Sequence, residues 1–441
     1  MRTNFSTERL EADPLLQEVN DILRKCVHCG FCTATCPTYT ILGDELDSPR
    51  GRIYLLKDML EGDKPASEGV VKHIDRCLTC LSCMTTCPSG VDYVHLVERG
   101  KVHIEKTYAR PWLDRATRNM LAWVLPHTNR FRMAMQMGWL VRSFARPLAP
   151  LMPRSLRAML EQARHPPHGV RQIERTGVHS PAPSPGAKGA ASPKARVIMP
   201  VGCVQPALMP QINEATARLL TRHGVEVVVP KGQGCCGAVV SHMGKEAEAK
   251  DFARANIASW WMEKVSRGVD AIVVNASGCG STFKDYAHLL RDDPEFAEKA
   301  RILSDITFDI TEYMIMLGLM EPEEKPELVV AYHAACSLQH GQKVLDAPKA
   351  LLRKAGFEVK EIANAHLCCG SAGTYSILQA DLSEELRIRK VKTLEDTKPH
   401  VIAAGNIGCL THISGGTELP VVHTVELLDW ATGGPKPQAL G

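Results

Sequence analysis

Cys26-Val27-His28-Cys29-Gly30-Phe31-Cys32-Thr33-Ala34-Thr35-Cys36-Pro37 and Cys77-Leu78-Thr79-Cys80-Leu81-Ser82-Cys83-Met84-Thr85-Thr86-Cys87-Pro88 are two copies of one pattern, offset by 51 residues. Each is a Cys-x2-Cys-x2-Cys-x3-Cys-Pro comb, the spacing that wraps one [4Fe–4S] cube. Three cysteines set two residues apart line a single loop around three iron corners. The fourth, followed by proline, is thrown away from that loop and, in chains with two combs, ligates the other cube. The expected ligand sets are Cys26, Cys29, Cys32 with Cys87, and Cys77, Cys80, Cys83 with Cys36. Structural zinc is the competing reading of clustered Cys-x2-Cys pairs. It would leave one or two cysteines of each comb unused and gives no reason for the repeated x3-Cys-Pro ending.

Working outward, residues 1–104 read as a dicluster ferredoxin-type domain. Asp13-Pro14 is a helix start, an N-cap followed by proline at the first helical position. Leu15, Leu16, Val19, Ile22 and Leu23 then mark one face leading to Cys26, and Ile53, Leu55, Leu56, Met59 and Leu60 mark a second helix ending near Gly62. A helical domain is therefore expected, not the compact β-hairpin type.

Residues 105–176 read as an arginine-rich helical insertion. From Arg110 to Arg175 there are twelve arginines against Asp114, Glu161 and Glu174, with Trp112, Trp123 and Trp139 among them. Two readings stand side by side: a basic amphipathic segment resting on an anionic membrane or a partner subunit, and an ordinary insertion with a solvated arginine face. Residues 177–195, rich in Pro, Ala, Ser and Gly, read as a linker.

The rest is an internal duplication, 196–318 and 326–431. Strands Val197–Met199 and Leu328–Tyr332 each lead to a cysteine, Cys203 and Cys336. Helices around Asn213–His223 and Pro348–Ala355 follow, then strands Val225–Val229 and Phe357–Ile362. Cys235-Cys236-Gly237 and Cys368-Cys369-Gly370 come next, each after a gap of 31 residues from the first cysteine. Strands Ala271–Asn275 and Val401–Ala404 lead to Cys279 and Cys409. This alternation implies an α/β module in each copy, and the whole chain an α+β multidomain protein. Gly232-Gln233-Gly234-Cys235-Cys236-Gly237 also fits a G-x-G-x-x-G fingerprint. The second copy keeps Cys-Cys-Gly and lacks the first two glycines, so no flavin or NAD site is read on this chain.

Sixteen cysteines in a chain whose N-terminus shows no apolar leader point to metal or redox chemistry in the cytoplasm. No apolar run approaches the ~20 residues of a spanning helix, leaving a peripheral place on the cytoplasmic face of the inner membrane as the alternative location. A net charge of +3 and the lack of a basic recognition helix exclude nucleic acid as a partner. His28 has only Thr79 at its place in the second comb, and His333 and His423 read as hydrogen-bonded core or loop residues. No catalytic acid–base pair is read, and Arg24, Lys25 and Arg76 are assigned no site.

The first comb with Thr38-Tyr39, the segment Asp47-Ser48-Pro49-Arg50-Gly51-Arg52-Ile53-Tyr54, the two Cys-Cys-Gly repeats and the ending His423-Thr424-Val425-Glu426-Leu427-Leu428 resemble the iron–sulfur subunits of bacterial glycolate oxidase. Related groups are the anaerobic glycerol-3-phosphate dehydrogenase iron–sulfur subunit and the heterodisulfide reductase B subunit. The resemblance covers about 1–104 and 196–431. It implies an electron-transfer subunit with two [4Fe–4S] clusters, an FAD-bearing partner oxidising glycolate to glyoxylate, and a quinone or other acceptor. Alternatives are the same relay for a lactate or glycerol-3-phosphate dehydrogenase, and a non-enzymatic redox sensor or scaffold. The wider family closes each repeat with Cys-x2-Cys, whereas Ala276 and Asn406 occupy the earlier positions here. Cys203, Cys235, Cys236 and Cys279, and Cys336, Cys368, Cys369 and Cys409, are therefore read either as further cluster ligands or as structural or redox thiols.

Overall fold

A computed structural model describes residues 1–145, 147, 152–181, 192–323 and 326–441. The N-terminal part is helical, with no strand among its described residues before Gly177. The Asp13 carboxylate accepts from the Leu15 and Leu16 amides at 2.9 and 3.3 Å, starting the Pro14–Lys25 helix. That helix buries Val19, Ile22 and Leu23 and hands the chain to Cys26 at its C-cap. Ser48 Oγ accepts from the Gly51 amide at 3.0 Å to start Pro49–Glu61. Helix Glu68–Asp75 ends just before Cys77, and Tyr93–Thr107 closes the bundle over Leu23, Leu56, Ile74, Leu96 and Ile104. Gly100 is required where two of these helices cross, since a Cβ there would meet Leu56 Cδ2 at 2.2 Å.

The Tyr93–Thr107 helix runs through the boundary expected at 104, because no breaker appears before Pro111. Helices Trp112–Val124, Thr128–Ala145 and Arg154–Gln162 follow. The stretch expected to be a linker, 177–195, opens with an edge strand, β1 (Gly177–His179), and its last residue, Ala195, already begins the next strand; residues 182–191 of it lie outside the described residues.

Two parallel sheets form the duplicated half. The first holds β1, β2 (Ala195–Ile198), β3 (Val225–Val229), β4 (Ala271–Val274) and β5 (Thr307–Asp309), in the order β1-β3-β2-β4-β5. The second holds β6 (Val329–His333), β7 (Glu358–Lys360), β8 (Val401–Ala404) and β9 (Val421–His423), in the order β7-β6-β8-β9. Setting aside β1, the one antiparallel strand, the two orders are the same. Val197 pairs with Val227 and Ala271 in one lobe, as Val330 pairs with Val359 and Val401 in the other. β4 and β8 are buried along their whole length, as helix-covered parallel strands are.

The lobes share one core, in which Val197, Leu219 and Val227 join Val330, Leu351 and Leu427. Arg218 and Arg222 from the first lobe reach buried Asp429 of the second at 2.6 and 3.0 Å. Because the strands are parallel, their C-terminal ends line one edge of each sheet, and the predicted cysteines follow these ends. Among the described residues no helix is long and apolar enough to cross a membrane.

Candidate iron–sulfur centres

The two combs fold as the same loop. In the first, His28 and Gly30 take left-handed φ values of 58° and 85°; in the second, Thr79 and Leu81 take 54° and 63°. The residues flanking the middle cysteine thus turn the chain so that three thiols converge. The left-handed conformation strains Leu81, where the first comb has the permissive glycine. The His28–Thr79 equivalence lies in this backbone turn, and the His28 ring packs on Tyr54 with centroids 4.3 Å apart.

One cavity is lined by Cys26, Cys29, Cys32 and Cys87, together with Cys83, Pro88, Ile53 and Tyr93. Another is lined by Cys36, Cys77, Cys80 and Cys83, with Pro37, Arg52 and Tyr93. Each thus gathers three thiols of one comb and the fourth of the other, with Cys83 lining both. Four convergent thiols in a largely apolar hollow suit a cube, since sulfur ligands select iron–sulfur clusters and apolar walls keep water away. Burial raises the Cys32 thiol to about 11, and burial with neighbouring thiols lifts Cys80 and Cys83 well above the ordinary range. Bare, these groups hold protons; a cationic metal would displace them.

The surroundings of the two sets differ. Around the first, Cys29, Val27, Phe31 and Tyr54 are all exposed, the phenylalanine at 63%. Around the second, Arg52 is 1% exposed; it donates to His73 O at 2.7 Å, Thr38 Oγ1 at 3.0 Å and Asp47 Oδ1 at 3.3 Å, with Nη1 3.8 Å from Cys36 Sγ. Arg76 completes the pairing of buried Asp47 at 2.8 Å. Tyr93 OH lies 3.7 Å from Cys77 Sγ, and buried Lys101 donates to Thr79 Oγ1 at 3.0 Å. Burial would raise the Cys77 thiol, but Arg52 and Lys101 outweigh it and hold Cys77 below its ordinary value. The second lobe roofs this set: Tyr375 OH donates to Arg76 O at 3.1 Å, Thr85 Oγ1 meets His340 Nδ1 at 2.8 Å, and Leu78 and Cys80 share an apolar cluster with Cys336, Cys368 and Tyr375.

In each Cys-Cys-Gly copy the four predicted cysteines meet. Cys203, Cys235, Cys236 and Cys279 touch in that order. Cys336 Sγ lies 3.8 Å from Cys368 Sγ, and Cys369 Sγ lies 3.5 Å from Cys409 Sγ. In both copies the Gly amide donates to the first sulfur of the pair at 3.4 Å, from left-handed Gly237 and Gly370. The G-x-G-x-x-G decoy is filled by protein: Gly234 N donates to Asn256 Oδ1 at 2.8 Å and Gln233 Oε1 accepts from Trp260 Nε1 at 3.1 Å. His423 is a hydrogen-bonded core residue, its Nδ1 accepting from Val425 N at 3.0 Å. His333 corrects the expectation of a hydrogen-bonded residue, for neither of its nitrogens has a partner.

Spacing alone missed Arg52, Asp47, Tyr93 and Lys101. The signal for two of them was present in Asp47-Ser48-Pro49-Arg50-Gly51-Arg52, where a Cβ on Gly51 would lie 2.0 Å from Glu45 O. Glycine there lets the helix start pass against the preceding turn, which aims Arg52 inward.

Residues 22–91 match the 4Fe-4S dicluster domain, and residues 197–284 and 330–414 match the cysteine-rich domain called CCG. The chain is 40% identical over 425 residues to the glycolate oxidase iron-sulfur subunit of Escherichia coli (strain K12), covering 96% of this chain and 98% of that one. It is 33% identical over 428 residues to a probable glycolate oxidase iron-sulfur subunit of Bacillus subtilis (strain 168), covering 93% and 94%. Lactate utilization protein A of Bacillus licheniformis is 31% identical over 241 residues, 53% of this chain and 99% of its own. A crystal structure of a hypothetical protein from Helicobacter pylori has a TM-score of 0.56 at 10% identity, covers 97% of this chain and 78% of its own, and shows a shared fold alone.

Proposed function

The chain belongs to the family of glycolate oxidase iron–sulfur subunits, and from that premise we propose that it carries electrons away from an FAD-bearing partner that oxidises glycolate to glyoxylate. The observation that supports this reading is that cysteines of both combs line each hollow, Cys26, Cys29, Cys32 and Cys87 with Cys83 at one and Cys77, Cys80, Cys83 and Cys36 at the other. Bound there, two [4Fe–4S] clusters would supply one-electron transfer, the step that complements a flavin able to work in one- and two-electron steps.

The protein's own residues do the rest. The comb loops hold the thiols, and Pro37 and Pro88 turn each fourth cysteine towards the other set. Arg52 and Lys101 offset negative charge at the second set, while Ile53 and Tyr93 keep water from the hollows. The exposed rim of Val27, Phe31 and Tyr54 suits the flavoprotein side, and the roofed set suits the side facing the acceptor, a quinone in this reading. The test is anaerobic co-purification with the flavoprotein followed by reduction with glycolate. An iron–sulfur EPR signal dependent on glycolate is expected. A signal raised by lactate and not by glycolate would favour the substrate named for the shorter relatives.

The arginine-rich helices fit a peripheral membrane contact. Trp112, Met120 and Trp123 are exposed on one helix, and Met133, Met137, Leu140, Val141 and Phe144 on the next at the spacing of one face. Their other sides pack on the first lobe, through Ala122 against Val240 and Met243, and Phe131 and Met135 against Ala207. Apolar stripes beside an excess of arginine suit an anionic bilayer surface. Met137→Glu with Phe144→Glu should abolish sedimentation with anionic vesicles, and unchanged sedimentation would reject this contact.

A further inference from the structure

Among the described residues, every side-chain hydrogen bond to a comb sulfur falls on the second set. Tyr93 OH donates to Cys77 Sγ at 3.7 Å, Arg52 Nη1 donates to Cys36 Sγ at 3.8 Å, and Thr38 Oγ1 lies 3.3 Å from Cys36 Sγ. Cys26, Cys29, Cys32 and Cys87 have no such donor among these residues. Tyr93 is 4% exposed and lines both hollows, yet its hydroxyl reaches only Cys77. A buried hydroxyl costs free energy unless it is bonded, so a phenol where phenylalanine would fill the space reports the sulfur it meets. At the offset of 51 that relates the combs, Tyr93 corresponds to Leu42, which has no donor.

Lys101 and Arg50 are related by the same offset, and they touch equivalent positions of the two loops. Lys101 Nζ donates to Thr79 Oγ1 at 3.0 Å, and Arg50 Nη1 donates to His28 O at 3.5 Å. Their charges are held differently. Arg50 is one-third exposed along its side chain and paired with Glu45 at 2.7 Å. Leu96 stands at the offset of Glu45, and buried Lys101 makes no ion pair among the described residues. Of the carboxylates near it, Asp75 is held by Arg110 and Arg118, and Glu98 accepts from Ser241. A buried ammonium needs a negative charge to face, and for Lys101 that charge is the thiolate of Cys77.

Reduction adds a negative charge to a cluster, and donors on its sulfurs or a cation beside it favour that charge. Water at exposed Cys29 and the Met1 ammonium, on Cys26 O at 2.6 Å, favour it at the first set. These act through a wet rim where charges are screened, whereas Lys101 and Arg52 act through the protein interior.

We propose that Tyr93 and Lys101 order the two sets, making the second the more easily reduced, so that an electron received at the open rim is drawn inward. One electron leaves the first set and enters the second; no bond forms or breaks and no proton moves. This order rests on the reading of each set as a [4Fe–4S] site and adds a direction to it.

The test is a potentiometric titration of the full chain, purified anaerobically and followed by low-temperature EPR, with iron counted on the same samples. Cys36→Ser and Cys87→Ser identify which signal belongs to which set. In wild type the signal that Cys36→Ser removes should develop at the higher potential. Tyr93→Phe and Lys101→Met should each move that signal to lower potential, with the iron count and the other signal unchanged. Arg50→Met should move the first signal less than Lys101→Met moves the second. A first set that reduces before the second, two sets that reduce together, or a second signal that neither variant moves would each overturn the proposal with both clusters still in place. Where Lys101→Met fails to fold, the isosteric Tyr93→Phe and the wild-type order still decide. About four irons per chain would instead break the reading of the combs, and the order with it.

Discussion

The two combs are the same loop placed in opposite settings. The first opens onto solvent through Cys29, Val27, Phe31 and Tyr54; the second lies over Arg52, Lys101 and Tyr93 and under the second lobe. Their ligand spacings are identical, so the difference comes from what packs around them. It gives a symmetric pair of sites a direction, with an accessible end for a partner and a sheltered end continuous with the duplicated half.

The sharpest way to break the comparison is to remove one crossed cysteine. Cys87→Ser should cost the first set its cluster, about four irons of eight, and leave the EPR signal of the second. Cys36→Ser should do the reverse, and an exchange of these two outcomes would overturn the crossed pairing. Next in size is Arg52→Met, which takes one of two arginines from buried Asp47 and leaves His73 O without its donor; it should cost about 1.5–3 kcal/mol in denaturant unfolding. It should also lower the reduction potential of the second set alone. Arg50→Met, whose partner Glu45 is largely exposed, should cost under about 1 kcal/mol; equal losses would show that the two surroundings do not differ as described. At the open rim, Phe31→Asp should weaken flavoprotein binding on the order of tenfold with the iron count unchanged.

The smallest effect concerns how the cluster domain docks on the first lobe. His95 pairs with Asp92 at 2.7 Å and with Asp285 at 3.1 Å. Burial would lower its imidazolium, but hydrogen bonds to Asp285 and Asp92 outweigh this and raise it to about 10. A raised histidine contributes fully below its unfolded value of about 6.5 and loses that contribution as pH climbs through about 10. His95→Gln should therefore lower the unfolding free energy at pH 6 by on the order of 1 kcal/mol and match wild type above pH 10. A constant difference across that range would refute the ion-pair role.

The combs and the duplication were legible because cluster ligation and strand–cysteine–helix order leave fixed spacings. Helix starts at Asp13 and Ser48 were equally local, each a side chain capping its own next turn. Arg52, Lys101, His333 and Lys390 were not legible in the same way. Arg52 meets Cys36 16 positions away, and Lys390 meets Asn364 26 positions away, through packing that no periodic pattern encodes. The helix that crosses residue 104 and the edge strand at Gly177–His179 show the same limit, since both are set by tertiary partners on which composition is silent.

We propose that this chain takes electrons from glycolate oxidation through its comb-held clusters. Glycolate added to the anaerobic complex of chain and flavoprotein, followed by low-temperature EPR, tests it most directly. Signals from reduced [4Fe–4S] clusters should grow with glycolate and be halved by Cys87→Ser. Reduced flavin with both comb clusters still oxidised would contradict it.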